Sequence, residues 1–229
     1  MTEERARPRA QFQASRRKTL FGETSNTTRE DGYAPPKRDV PSSIRPNSNP
    51  LIFSEMPVNL DSIPRVYLAG PDVFFVDALH LARKRQDFLA GLGMEGVFPL
   101  DTQQAGQNLP TDAHTIFKAN RELIDSCHAV LANVSPFRGP SADVGTAWEM
   151  GYASGQGKPV VAYSDDLSVY RDKVFRGGWS SAPAEARDKD GNEIEDFGGT
   201  DNLMLTQSVI AICATFEEAA AALKRFLAQ

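Results

Sequence analysis

Apolar residues are spread unevenly along this 229-residue chain. Up to about Pro64 they are few and follow no period, and the segment holds Arg16-Arg-Lys18, Pro35-Pro36 and many Ser, Thr and Asn residues. Such a stretch buries too little apolar surface to offset its chain entropy, so residues 1–63 are expected to be a disordered extension. From Arg65 the pattern changes. Arg65-Val-Tyr-Leu-Ala-Gly-Pro71 reads as a buried strand ending in a turn, Gly96-Val-Phe-Pro99 as a second strand and His128-Ala-Val-Leu-Ala-Asn-Val134 as a third. Lys158-Pro-Val-Val-Ala-Tyr163 is a fourth and Val209 to Cys213 a fifth. The third is apolar almost throughout, as expected where both sheet faces are covered. Helical spacing of apolar positions is expected over 77–92, 113–125, 143–155, 202–208 and 215–227. Strands alternating with helices predict an α/β domain over 64–229: a flavodoxin-like (Rossmann-like) five-stranded parallel sheet with helices on both faces, in the order 2-1-3-4-5.

Between Ser164 and Thr200 the alternation breaks into a stretch rich in Gly and Asp. Lys189-Asp-Gly-Asn192 there signals a tight turn between short strands, and a long connection at this place is expected to be a lid or binding loop. Asp188, Asp190 and Asn192 are not a calcium loop, because the glycine and terminal glutamate that such a loop needs are misplaced.

The net charge of −5 gives no general attraction to nucleic acid or to an anionic membrane. No apolar run is long enough to span a bilayer, and the N-terminus lacks the apolar core of a secretory signal. Glu3-Glu4 argues against an organellar transit peptide, so the expected location is cytoplasmic. The mildly basic extension reads as solvated chain, with a targeting or nucleic-acid arm as the alternative. Cys127 and Cys213 read as reduced, buried thiols. His80, His114 and His128 have no metal-ligand spacing, and no metal or cofactor is expected.

In open parallel sheets, ligands sit beyond the carboxyl ends of the strands. The segments there are Ala69 to Phe74, Leu100 to Gln103, and Ser135 to Asp143 leading into the helix that carries Glu149. No phosphate-cradling Gly-rich loop and no dinucleotide fingerprint follows the first strand. Glu149 sits among Ala147, Trp148, Met150, Gly151 and Tyr152, with Gly145 and Thr146 a turn before it. A carboxylate in an apolar wall is a candidate nucleophile or acid/base; the alternative is an exposed helical glutamate. Asp143 fits a helix N-cap or a catalytic carboxylate. Tyr67 either fills the core or orients a carboxylate. Gly70 either permits a close backbone approach to a ligand or serves turn chemistry.

Taken in order, Tyr67-Leu-Ala-Gly-Pro71, Pro99-Leu-Asp-Thr-Gln103, Asp143-Val-Gly-Thr-Ala-Trp-Glu-Met-Gly-Tyr-Ala153 and Asp201-Asn-Leu-Met204 resemble the successive signatures of the nucleoside 2-deoxyribosyltransferases. The resemblance runs from about Arg65 to the C-terminus. It implies that Glu149 is the nucleophile, that Asp143 lines the pocket by the base, and that Tyr67 positions Glu149. It further implies that Gln103 contacts the base, and that Asn202 and Met204 reach the sugar from a neighbouring subunit of a homo-oligomer. Asn120 stands where the family often has an aspartate that binds or protonates the base; Asp125 nearby does not match the spacing.

The reaction implied is a double displacement on a 2'-deoxynucleoside. Glu149 attacks the anomeric carbon, the base leaves with help from Asp143, and a second free base takes the sugar from a glutamyl intermediate. Water in place of the second base makes a hydrolase, acting on a nucleoside or a nucleoside 5'-monophosphate; a nucleoside-binding module without turnover is a further alternative. The acidic, bulky loop Gly70-Pro-Asp-Val-Phe-Phe75 is expected to disfavour a phosphate, because Asp72 would repel it.

Overall fold

The computed structural model describes residues 45–46, 62–101, 112–178 and 187–229. The strands are β1 (Arg45–Pro46), β2 (Arg65–Ala69), β3 (Glu95–Val97), β4 (Ala129–Asn133), β5 (Val160–Tyr163) and β6 (Ala211–Cys213). They form one sheet in the order β1-β6-β5-β4-β2-β3. The five strands β2 to β6 are parallel, and their order is the 2-1-3-4-5 arrangement expected from the sequence. The addition is β1, which pairs antiparallel with β6 through Arg45↔Ile212 and Pro46↔Ala211. It falls within the stretch expected to be disordered, most of which lies outside the described residues.

The helices are α1 (Ala78–Gly91), α2 (Ala113–Asp125), α3 (Val144–Gly155), α4 (Tyr170–Arg176), α5 (Leu203–Gln207) and α6 (Phe216–Leu227). Strand alternation divides them between the two faces. Val66, Leu68, Leu131 and Val161 pack with Leu89 of α1 and with Phe216, Ala219 and Leu223 of α6. Tyr67, Ala69, Val130 and Ala162 point the other way, to Ile124 of α2 and to Met150 and Ala153 of α3. Each face buries a continuous apolar layer, which explains why the central strands read as unbroken apolar runs.

Within the 164–200 stretch, α4 is an element the sequence reading left as connection. The turn at 189–192 is present: Arg187 and Glu193 bridge antiparallel, and Gly191 takes a φ of +86° that suits glycine. Cys127 and Cys213 are buried free thiols, and burial pushes each up to about 11, where neither is a reactive thiolate at neutral pH. No described helix is long and apolar enough to cross a membrane.

The connection after β2 leads to α1 on one face, and that after β4 leads to α3 on the other. The carboxyl ends of these neighbouring strands therefore flank the switch point of the sheet, where this class of fold places its ligands.

Candidate active site

Tyr67 lies in the middle of β2, paired with Val97 on one side and Val130 on the other. Its side chain has no solvent exposure. Its hydroxyl donates a 2.6 Å hydrogen bond to Glu149 Oε1, 82 residues further along the chain. Burial, reinforced by the Glu149 charge, holds the phenol well above its usual range, so it remains a donor at working pH. Core filling and carboxylate orientation are thus one role: the ring packs and the hydroxyl points.

Glu149 is half-buried on α3. Removal from water pushes its carboxyl up to about 7; the Tyr67 hydrogen bond pulls it down and the Asp143 charge adds to the rise. This glutamate is therefore not a solvated helical residue. Next to it on the helix, Trp148 stacks on Tyr152 at 5.0 Å and meets Phe117 of α2 edge-on at 5.1 Å, which builds an aromatic wall.

Asp143 is the N-cap of α3. Its Oδ2 accepts from the amides of Gly145 at 3.0 Å and Thr146 at 3.2 Å, while Oδ1 has no hydrogen bond among the described residues. The cap accounts for Gly145: a Cβ there would stand 2.9 Å from the Asp143 carboxylate. Thr146 is buried and its hydroxyl has no partner among the described residues. The missing side chain at Gly145 makes room for this cap.

Gly70 also serves packing. A Cβ at this position would meet Asp72 Oδ2 at 2.7 Å and Asn133 Cβ at 2.8 Å. Asp72 is not the free acid that the sequence suggested. It is buried, accepts from Arg85 Nη1 at 2.6 Å and from Asn133 Nδ2 at 3.0 Å, and its charge is compensated by Arg85. With its charge paired to Arg85, Asp72 gives this loop no free carboxylate to repel a phosphate.

Asn120 is half-buried on α2, on the stripe of Phe117 and Ile124 that faces α3, and has no hydrogen bond among the described residues. Asp125 instead receives Tyr152 Oη at 2.8 Å and Gln156 Nε2 at 2.7 Å, which ties α2 to α3. Gln103 lies outside the described residues. Before it, Asp101 is fixed by Phe98 N at 2.7 Å and Gln86 Nε2 at 2.8 Å.

Asn202 caps α5 by accepting from Met204 N at 3.0 Å, and its Nδ2 donates to Glu195 Oε2 at 2.7 Å. Met204 is 71% exposed. Neither residue has a contact with Glu149 among the described hydrogen bonds of the chain. Asp201, unassigned in the sequence reading although it opens the same motif, is the buried residue of the group: it accepts from Ser141 Oγ, from Ala142 N at 2.9 Å and from Asn202 N at 2.7 Å.

A cavity of about 540 Å³ lies at the carboxyl ends of β2, β4, β5 and β6 on the α1/α6 side, with Asp72, Arg85, Asn133, Ser135, Tyr163 and Phe216 among its lining. It contains none of Tyr67, Asp143 and Glu149. Its central cation, Arg85, is paired with Asp72 and packed against the Tyr163 and Phe216 rings. It is a separate feature from the carboxylate site.

Comparison with known proteins gives the family. The family model for nucleoside 2-deoxyribosyltransferase matches residues 66–204, a span that includes Tyr67, Asp143, Glu149, Asn202 and Met204. An uncharacterized protein of Schizosaccharomyces pombe is 34% identical over 145 residues, covering 60% of this chain and 69% of its own. The structure of a 2-deoxyribosyltransferase from Leishmania mexicana superposes with a TM-score of 0.58 at 31% identity, over 71% of this chain and 97% of that one. With the family match extending over more than half its length, the chain belongs to the nucleoside 2-deoxyribosyltransferase family.

Proposed function

We propose that this protein transfers a 2-deoxyribosyl group between nucleobases, with Glu149 as the nucleophile on the anomeric carbon. The observation that carries the reading is the 2.6 Å hydrogen bond from the fully buried Tyr67 to the Glu149 carboxylate. It fixes one carboxylate oxygen and leaves the other to attack. Partial desolvation makes the carboxylate more basic than a surface glutamate and therefore a better nucleophile. An oxocarbenium-like transition state next to a carboxylate gains electrostatic stabilisation, and collapse onto Glu149 gives a covalent deoxyribosyl ester. The free oxygen of Asp143 is the candidate to hold or protonate the departing base. Asn120 offers an amide to the same base in place of a carboxylate. An incoming base repeats the displacement from the opposite side and returns the original stereochemistry; water in its place would make the enzyme a hydrolase.

The sugar side of the site we assign to a second copy of the chain, which would bring Asn202 and Met204. Support comes from exposed apolar side chains on α2, α3 and α5: Ile116, Phe117, Val144, Trp148 and Met204, with Val144 at 84%. Exposed apolar side chains in this number favour an interface.

Chromatography of purified protein with 2'-deoxyinosine and free adenine tests the reaction. Formation of 2'-deoxyadenosine is the expected result. Hypoxanthine and free sugar, with no new nucleoside, would replace transfer by hydrolysis. The same assay with 2'-deoxynucleoside 5'-monophosphates decides the phosphate question that Asp72 leaves open.

A further inference from the structure

Ser141 and Ala142 immediately precede Asp143, whose carboxylate caps the helix of Glu149. This loop is held from 59 and 60 residues away by one side chain, Asp201, which is 2% exposed. Both Asp201 oxygens are engaged. Oδ2 accepts from the Ala142 amide, and Oδ1 accepts from the Ser141 hydroxyl and from the Asn202 amide. Its negative charge is answered by the buried Lys173: burial lowers the pKa of that ammonium, and Asp201 is the strongest group holding it up. On its far side, Asp201 borders Asn202, the cap of α5, which carries Met204.

We infer that Asp201 is a positioning residue of the site: through the Ala142 amide it sets where Asp143 stands against Glu149, and through the Asn202 amide it sets where α5 begins. The inference rests on Glu149 being the reacting carboxylate. An asparagine of the same shape has one acceptor oxygen instead of two. It turns an NH2 toward at least one amide donor and releases either the 141–143 loop or the head of α5.

The groups that act on Glu149 allow a test that simple loss of stability would not mimic. Among the described residues they are Tyr67 from β2 and Asp143 at the head of its own helix; on the facing stripe of α2 the charged residue is Arg121, which lies over the Phe117 ring and is not among the groups that shift Glu149. Asp143 raises the Glu149 midpoint, so moving Asp143 away lowers it. The experiment is a pH titration of the Glu149 carboxyl carbon by NMR on the full chain, with the signal assigned by its absence in Glu149→Gln. It is run with kcat and KM on wild type, Asp201→Asn, Asp143→Asn and the double variant.

Asp201→Asn is expected to shift the midpoint below about 7 in the same direction as Asp143→Asn. It should add no further shift in the Asp143→Asn background, and should lower kcat/KM roughly tenfold. A folded Asp201→Asn with the wild-type midpoint overturns the inference, as does a shift that adds in full to that of Asp143→Asn. Should Asp201→Asn not fold, Ser141→Ala removes one donor and keeps the charge. It is expected to give a smaller shift of the same sign, and an unchanged midpoint overturns the inference. Undiminished turnover in Glu149→Gln would defeat the proposed chemistry instead, while the titration still decides the role of Asp201.

Discussion

At the scale of the residue, the account turns on the protonation of Glu149. A nucleophilic carboxylate must be ionised, and burial holds this one up to about 7. The kcat/KM profile should therefore rise with pH through about 7 and level off above it, whereas an ordinary glutamate would place the rise below pH 5. Tyr67→Phe removes the hydrogen bond that opposes this rise. It should move the limb to higher pH and cost roughly 10- to 100-fold in kcat, the worth of a hydrogen bond to a charged group. The same burial carries a stability cost of definite sign. The folded state binds the Glu149 proton more tightly than the unfolded chain, so stability falls as pH rises from about 4.5 to about 7. Glu149→Gln, neutral throughout, should be more stable than wild type at pH 8 by on the order of 1–3 kcal/mol, with a smaller gain at pH 5. Urea unfolding at the two pH values measures both quantities; equal gains would mean that the carboxylate is not desolvated.

At the scale of the element, the central strands were legible because both faces of the sheet are covered: Ala129 to Asn133 is buried at every position and reads as an apolar run. The paired strand Arg45–Pro46 was not legible, since two residues that join a sheet through backbone bonds need no side-chain pattern. Helix α4 was missed because seven residues give less than two turns, too little for a period to stand out. Of the two readings of Asp143, the structure shows the cap: its Oδ2 fixes the first turn of α3, and the proposed substrate role falls to Oδ1. Asp72 was misread because its partner Arg85 stands thirteen residues on, beyond what local sequence can pair. The Tyr67–Glu149 bond spans 82 residues and entered the sequence reading only through the family resemblance. Gly70 shows how the loop after β2 depends on the packing behind it. With 2.7 and 2.8 Å to its neighbours, an added methyl must displace Asp72 or Asn133, and Gly70→Ala should cost about 1–3 kcal/mol in urea unfolding. A variant as stable as wild type would show that the Asp72–Asn133 pair yields freely.

At the scale of the whole molecule, the proposal makes the active unit larger than one chain. The aromatic wall of Phe117, Trp148 and Tyr152 stands beside Glu149, and the exposed Met204 is carried on a separate short helix. If a second copy covers this face, Trp148→Glu should shift the protein toward monomer in sedimentation and lose turnover as it does so. A shared site also predicts complementation. Glu149→Ala and Met204→Ala chains, each weak alone, should regain part of the wild-type rate when unfolded and refolded together, because some mixed sites receive both native residues. No recovery in mixed oligomers would place Met204 outside the partner's site.

The central claim is that Glu149 takes the sugar. Its most direct test is intact-mass and peptide-level mass spectrometry of protein mixed with a 2'-deoxynucleoside, without acceptor base, and quenched in acid. The account predicts an adduct of one deoxyribosyl group on the peptide containing Glu149, lost on addition of a free base and absent from Glu149→Gln. Turnover without any adduct, together with a Glu149→Gln variant as active as wild type, would contradict it.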